Sequence, residues 1–156
     1  VAAVVKYTID TSFAVKGLVP PRRKKRDKIL EKQQEMHKLA RSYLDKIRDK
    51  HAEMYIPAVA LIETAIVISR ITNSEDDSRK AISFLRRNAA HVFYEHEILE
   101  DAISFGIETK ASGYDTVFLT IAEATQSEFL TDDSLQHKIA LSRGIVSHLL
   151  RDMVEE

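Results

Sequence analysis

Apolar residues along this chain alternate between two rhythms. Short β-branched or aromatic runs at residues 4–9, 54–56, 92–94 and 128–131 are separated by longer stretches whose apolar positions recur three and four apart. That alternation predicts βαβ units and a parallel sheet. A first helix over 12–18 is closed by Pro20-Pro21, because the residue before a proline is pushed out of the α region. From about 28 to 49, Met36, Leu39, Ala40, Tyr43, Leu44 and Ile47 form one stripe of a long helix. That stripe is expected to be core, with a dimer seam as the alternative use. Pro57 suits the first position of a helix to about 71. This helix is apolar nearly all round, so it is expected to be buried. Ser74 followed by Asp77 marks the start of a helix to 88. An amphipathic helix over 97–111 is expected to stop at a left-handed Gly113. Helices over 115–125 and 134–142 follow, the second ended by Gly144, and 145–147 reads as a weak fifth strand. No internal repeat or low-complexity stretch interrupts the pattern, so residues 1–156 are read as one domain.

The same pattern isolates a few acidic side chains. Asp10 is the only charge between Lys6 and Lys16, Glu63 between Glu53 and Arg70, and Asp115 between Lys110 and Glu123. Asp132 and Asp133 stand alone between Glu128 and Lys138. A carboxylate in an apolar setting is costly unless a cation or hydrogen-bond donors compensate. Four such stretches point to a fold that gathers carboxylates around a divalent metal.

Composition narrows the class. The chain has 156 residues, 44 % of them hydrophobic and 30 % charged, which is ordinary for one soluble domain. No run of about 18 apolar residues exists, so no membrane span is expected. The opening Val1-Ala2-Ala3-Val4-Val5 has no basic flank or cleavage site and reads as strand rather than signal peptide. Without cysteine there is no disulfide or thiolate site, which fits a cytoplasmic location. A formal charge of −1 hides an asymmetry: residues 1–50 hold 14 Lys and Arg against 6 Asp and Glu, and the remainder is acidic. Such polarity fits a polyanionic partner at one face and metal-binding carboxylates elsewhere. With glycine only at 17, 106, 113 and 144, neither a P-loop nor a dinucleotide fingerprint is present.

Placement sharpens the reading. Asp10 and Asp132/Asp133 follow the C-terminal ends of predicted parallel strands, where the ligand crevice of an open α/β sheet lies. Glu63 sits in the second turn of the helix after the second strand, near the same edge. Asp115 opens a helix, and its own strand does not bring it there. Two carboxylates about 5 Å apart repel by roughly 3 kcal/mol at an effective dielectric near 20, so several together call for a cation. All-oxygen ligands suit Mg²⁺ or Mn²⁺. Local roles compete with this: Asp10 and Asp115 as helix caps, and Asp132 or Asp133 as turn residues. Glu63, mid-helix among apolar neighbours, has no such role.

Ile9-Asp10-Thr11-Ser12, Tyr55-Ile56-Pro57 with Glu63, Gly113-Tyr114-Asp115-Thr116 and Phe129-Leu130-Thr131-Asp132-Asp133 occur in order across nearly the whole chain. Together they resemble the PIN domain family, most closely its VapC-type toxin ribonucleases. The resemblance implies a three-layer α/β/α sandwich on a mainly parallel five-stranded sheet. It implies an acidic quartet of Asp10, Glu63, Asp115 and Asp133 holding Mg²⁺ or Mn²⁺ for RNA hydrolysis by in-line attack of water. Ser12 and Thr131 match supporting hydroxyl residues, and Asp132 takes the variable position beside Asp133. An antitoxin protein and a second copy of the chain are the partners it implies. Two features depart from the family: a longer, more basic linker after the first helix, and Gly17 where a bulky residue is common. Both are expected to bear on substrate or partner choice.

The linker cations Arg22, Arg23, Lys24, Lys25 and Arg26 could hold RNA phosphates without reading sequence, simply be solvated, or dock an antitoxin through its acidic residues. The six histidines show no metal-ligand spacing, and His137 alone falls near the candidate carboxylates. Two other functions compete. One is a catalytically silent PIN-like module that binds RNA or protein. The other is a Mg²⁺-dependent phosphotransfer domain, which would want an acidic residue where Ser12 stands.

Overall fold

The computed structural model describes residues 3–154. Val1 and Ala2, read as part of the opening strand, lie outside the described residues. Five strands form one sheet: β1 (Val5–Ile9), β2 (Ala52–Pro57), β3 (His91–Phe93), β4 (Glu128–Thr131) and β5 (Ser147–Leu149). Their order is β3-β2-β1-β4-β5, with every pairing parallel. Eight helices connect and flank them: α1 (Thr11–Leu18), α2 (Lys28–Arg48), α3 (Ala58–Thr72), α4 (Glu75–Asn88), α5 (Glu95–Thr109), α6 (Gly113–Thr125), α7 (Ser134–Ser142) and α8 (Leu150–Met153).

Right-handed crossovers sort the helices into layers. The chain steps from β1 to β2 to β3 in one direction, so α1–α2 and α3–α4 cover one face. It then returns past β2 and β1 to β4 and continues outward to β5, so α5, α6 and α7 cover the other. The packing agrees: α1 lies on α2 and α3, whereas α6 lies on β1, β2 and α7. The result is the expected three-layer α/β/α sandwich. Strand order reverses between β1 and β4, and such a switch point opens a crevice at the C-terminal strand ends.

The α2 stripe is core. Met36, Ala40, Leu44 and Ile47 are buried, and Leu39 and Tyr43 pack against them. Gly17 has a structural reason: a Cβ there would lie 2.7 Å from Leu44 Cδ1 and 3.1 Å from the Ala40 carbonyl carbon. It lets α1 and α2 approach closely, so its departure from the family is a matter of helix packing.

Several boundaries differ from the expectation. Pro57 ends β2 and caps α3, with extended ψ of 153°. The α5 helix begins at Glu95, where Tyr94 and Glu97 form a cap, and ends with left-handed Lys110. Gly113 therefore opens α6 rather than stopping α5. The last strand falls two residues later than expected, and the four-residue α8 went unforeseen. Nor is α3 wholly buried: Ile62 and Ile66 are 62 % and 44 % exposed. Apolar composition all round a helix showed no preferred face, and here only one side meets the sheet. Among the described residues, no helix is long and apolar enough to cross a membrane.

Candidate functional site

Asp10 follows β1 and caps α1. Its carboxylate is 1 % exposed. Oδ1 accepts from the Phe13 backbone N–H at 3.0 Å and the Ser12 hydroxyl at 2.7 Å. Oδ2 accepts from the Thr131 hydroxyl at 2.5 Å and Gln136 Nε2 at 3.2 Å. No cation contacts it among the described residues. Burial pushes its pKa up to about 6 against the pull of these donors, and the nearby Asp133 charge adds to the rise. Capping therefore occupies one carboxylate oxygen and leaves the other facing β4.

The two hydroxyls tie neighbouring strand ends together. Ser12 Oγ donates to Asp10 and accepts from the Asp132 N–H at 2.9 Å. Thr131 Oγ1 donates to Asp10 and accepts from the Asp133 N–H at 2.9 Å. Both bonds span the β1/β4 switch point, so the turn after β4 is held against Asp10. Asp133 then caps α7, its Oδ1 accepting from the Leu135 and Gln136 N–H groups at 2.9 and 3.0 Å.

Glu63 and Asp115 arrive on helix starts. Glu63 lies in the second turn of α3 and Asp115 in the first turn of α6. Glu63 meets Thr11, the neighbour of Asp10, and the Asp133 charge acts on Asp115. Ser112 caps α6, its hydroxyl accepting from the Asp115 N–H at 3.2 Å, so Asp115 is not the cap. The Thr11 hydroxyl donates to Glu63 Oε1 at 3.3 Å. Burial raises the pKa of Glu63, and the Asp115 charge raises it further. Burial likewise raises Asp115, with the Asp133 charge adding. Asp10, Asp133, Asp115 and Glu63 thus lie within electrostatic reach in sequence around the crevice. They do not form a closed cage: among the described residues, no three His, Asp or Glu side chains sit close enough together to hold a metal ion.

Asp132 differs from all four. Its buried carboxylate accepts from Lys16 Nζ at 2.9 Å and from the backbone N–H and Nε of Arg151, each at 3.2 Å. Arg151 also donates to the Asp132 carbonyl. Asp132 therefore joins α1, the β4–α7 turn and α8, and it engages these two cations, whereas among the described residues no ion pair forms at the other four.

Other sequence candidates lie apart. Arg22 to Arg26 are exposed in the segment between α1 and α2. None of them pairs with a crevice carboxylate, and Arg23 binds Asp27 instead. His137 shares a 2.7 Å hydrogen bond with Ser147 of β5. A groove of about 990 Å³ opens along α3 and α4 between Ile62, Ile66 and Ile82, with Arg70, Arg79 and Arg86 beside them. Thr11, Lys16, Gln136 and Arg151 escaped the sequence reading. Thr11 adjoins Asp10, and its bond to Glu63 spans 52 positions, which no local pattern reports. Lys16 and Arg151 are ordinary surface cations in sequence.

The donor set fits a hard divalent cation by its chemistry. All candidate ligands are oxygens, and Asp10 is a buried anion with no positive partner. Mg²⁺ commonly keeps several waters and binds through one or two carboxylates, so a loose acidic ring does not conflict with it.

The family model and one solved structure agree with this architecture. The family model described as "PIN domain" matches residues 7–141. The crystal structure of PAE2754 from Pyrobaculum aerophilum is similar with TM-score 0.55 and 14 % identity, over 92 % of this chain and 83 % of that one. A domain of a functionally unknown protein from Methanocaldococcus jannaschii DSM 2661 aligns with TM-score 0.49 and 20 % identity, over 94 % of this chain and 91 % of that one. No curated protein sequence matches. The family model spans most of the chain and every carboxylate of the crevice, and the chain belongs to the PIN domain family, whose members are generally nucleases.

Proposed function

We propose that this chain is a metal-dependent endoribonuclease in which Asp10, Glu63, Asp115 and Asp133 hold Mg²⁺ or Mn²⁺. The observation that carries the reading is the Asp10 carboxylate: buried, with no cation against it among the described residues and the Asp133 charge nearby, while Lys16 and Arg151 are engaged by Asp132. When bound, the metal would supply Lewis-acid neutralisation of the phosphodiester and an activated water. The chain's own part is positional. Ser12 and Thr131 fix the Asp10 carboxylate, and the caps of α6 and α7 fix the backbones that carry Asp115 and Asp133. Exposed Arg22, Arg23, Lys24, Lys25 and Arg26 would hold RNA backbone without reading sequence.

The toxin role in a toxin–antitoxin pair rests on the motif resemblance. An acidic amphipathic helix of an antitoxin would suit the α3–α4 groove, whose isoleucines lie beside Arg70, Arg79 and Arg86. A homodimer would have Leu99, Ile103 and Ile107 available, exposed on one side of α5. A catalytically silent docking module is the second reading, and the same exposed apolar surfaces favour it.

Product ends test the reaction. Hydrolysis by water leaves a monophosphate and a free hydroxyl at the cut, whereas attack by the RNA 2′-hydroxyl leaves a 2′,3′-cyclic phosphate. Single-stranded RNA incubated with the protein should be cut only with Mg²⁺ or Mn²⁺, leaving no cyclic ends. Cleavage in EDTA, or cyclic ends, would refute the proposal. No cleavage with either metal would favour the docking module.

A further inference from the structure

Gln136 stands three residues after the α7 cap Asp133, the spacing of a capping box. In a capping box its side chain would accept from the Asp133 backbone N–H. That N–H instead donates to Thr131 Oγ1. The Gln136 side chain turns toward β1, where Nε2 donates to Asp10 Oδ2 at 3.2 Å. Its own backbone N–H donates to Asp133 Oδ1 at 3.0 Å. One residue thereby holds two carboxylates from opposite sides of the switch point. Gln136 is only 7 % exposed, yet its Oε1 has no partner among the described residues.

Capping does not explain that side chain, because its backbone target is taken. Core packing does not explain it either. A buried, half-satisfied amide is unfavourable, and a leucine would fill similar space without an unpaired oxygen. What the amide provides is a fixed donor to the Asp10 carboxylate, which is buried without a cation against it among the described residues. Carboxylates that bind metals are themselves held by donors, and loss of such a donor weakens metal binding about 10- to 100-fold.

We propose that Gln136 is a positioning residue for a divalent-cation site, setting the orientation of Asp10 Oδ2 and its spacing from Asp133. The proposal rests on the metal reading above.

Mn²⁺ binding by calorimetry to the whole protein tests this directly, alongside denaturant unfolding in EDTA. Two volume-matched variants are needed, Gln136→Leu and Gln136→Met. The expected result is saturable binding by the wild type and binding about 10- to 100-fold weaker by both variants. In EDTA both variants should remain folded, because the lost donor to Asp10 and the removal of the unpaired oxygen act in opposite directions. Binding within twofold of wild type, or tighter, would overturn the proposal. Failure of both variants to fold would overturn it too, by making the residue structural. Absence of Mn²⁺ binding by the wild type would instead defeat the metal reading and this proposal with it.

Discussion

The Asp10 carboxyl sits where burial and hydrogen bonding act in opposite directions, and burial wins. In the folded protein it holds its proton up to about pH 6, well above its value in an unfolded chain, near 4. The folded state therefore binds the proton more tightly. Its contribution to stability is fully present below about pH 4 and is lost as pH rises through 6. Two units correspond to roughly 3 kcal/mol as an upper order of magnitude. Glu63 and Asp115 shift in the same direction. In EDTA, Asp10→Asn is predicted to gain stability over wild type as pH rises from 4 to 7.5, as measured by urea unfolding. A difference that stays constant with pH would contradict this account. Added Mn²⁺ is predicted to stabilise the wild type more at pH 7.5 than at pH 5, since protons and metal compete for the same oxygens.

At the scale of elements, the site is a product of helix starts and strand ends. Gly17 allows α1 to lie on α2, and α1 carries Asp10 as its cap. Gly17→Ala would force the Leu44 side chain aside and press on the Ala40 backbone. A loss of about 1–3 kcal/mol is expected in chemical denaturation. Asp132→Asn keeps the shape of the β4–α7 turn but weakens its bonds to Lys16 and Arg151. Those two cations are about half exposed, so the expected cost is modest, about 1–2 kcal/mol. Wild-type stability in that variant would remove the tie between α1 and α8. Elements with strong local signals were legible in the sequence. The α2 stripe, the Ser74 cap and the proline stop after α1 all fall where pattern places them. Gly113 misled because Lys110 took the left-handed position without glycine. The Asp132 ion pairs join residues 116 and 19 positions apart, and no local pattern reports such a contact.

For the whole molecule, parallel strands alternating with helices imposed the sandwich, and the lone carboxylates marked its C-terminal edge. Asp115 could not be placed there by its own strand, and its coupling to Asp133 shows only in the fold. Nor could Gln136, since its spacing imitates a cap and only the three-dimensional path of Thr131 frees it. The strand order joins these scales. The reversal between β1 and β4 sets Asp10 beside Asp133, and the layers on either face supply Glu63 and Asp115. The central claim is that these four carboxylates act together on RNA through a divalent cation. The most direct measurement is the rate of RNA cleavage with Mn²⁺ by wild type, Asp10→Asn, Glu63→Gln, Asp115→Asn and Asp133→Asn, each shown to be folded. The account predicts cleavage by the wild type that EDTA abolishes, and a loss of about a hundredfold or more in each variant. Undiminished cleavage by Asp10→Asn and Asp115→Asn, or cleavage that survives EDTA, would contradict it.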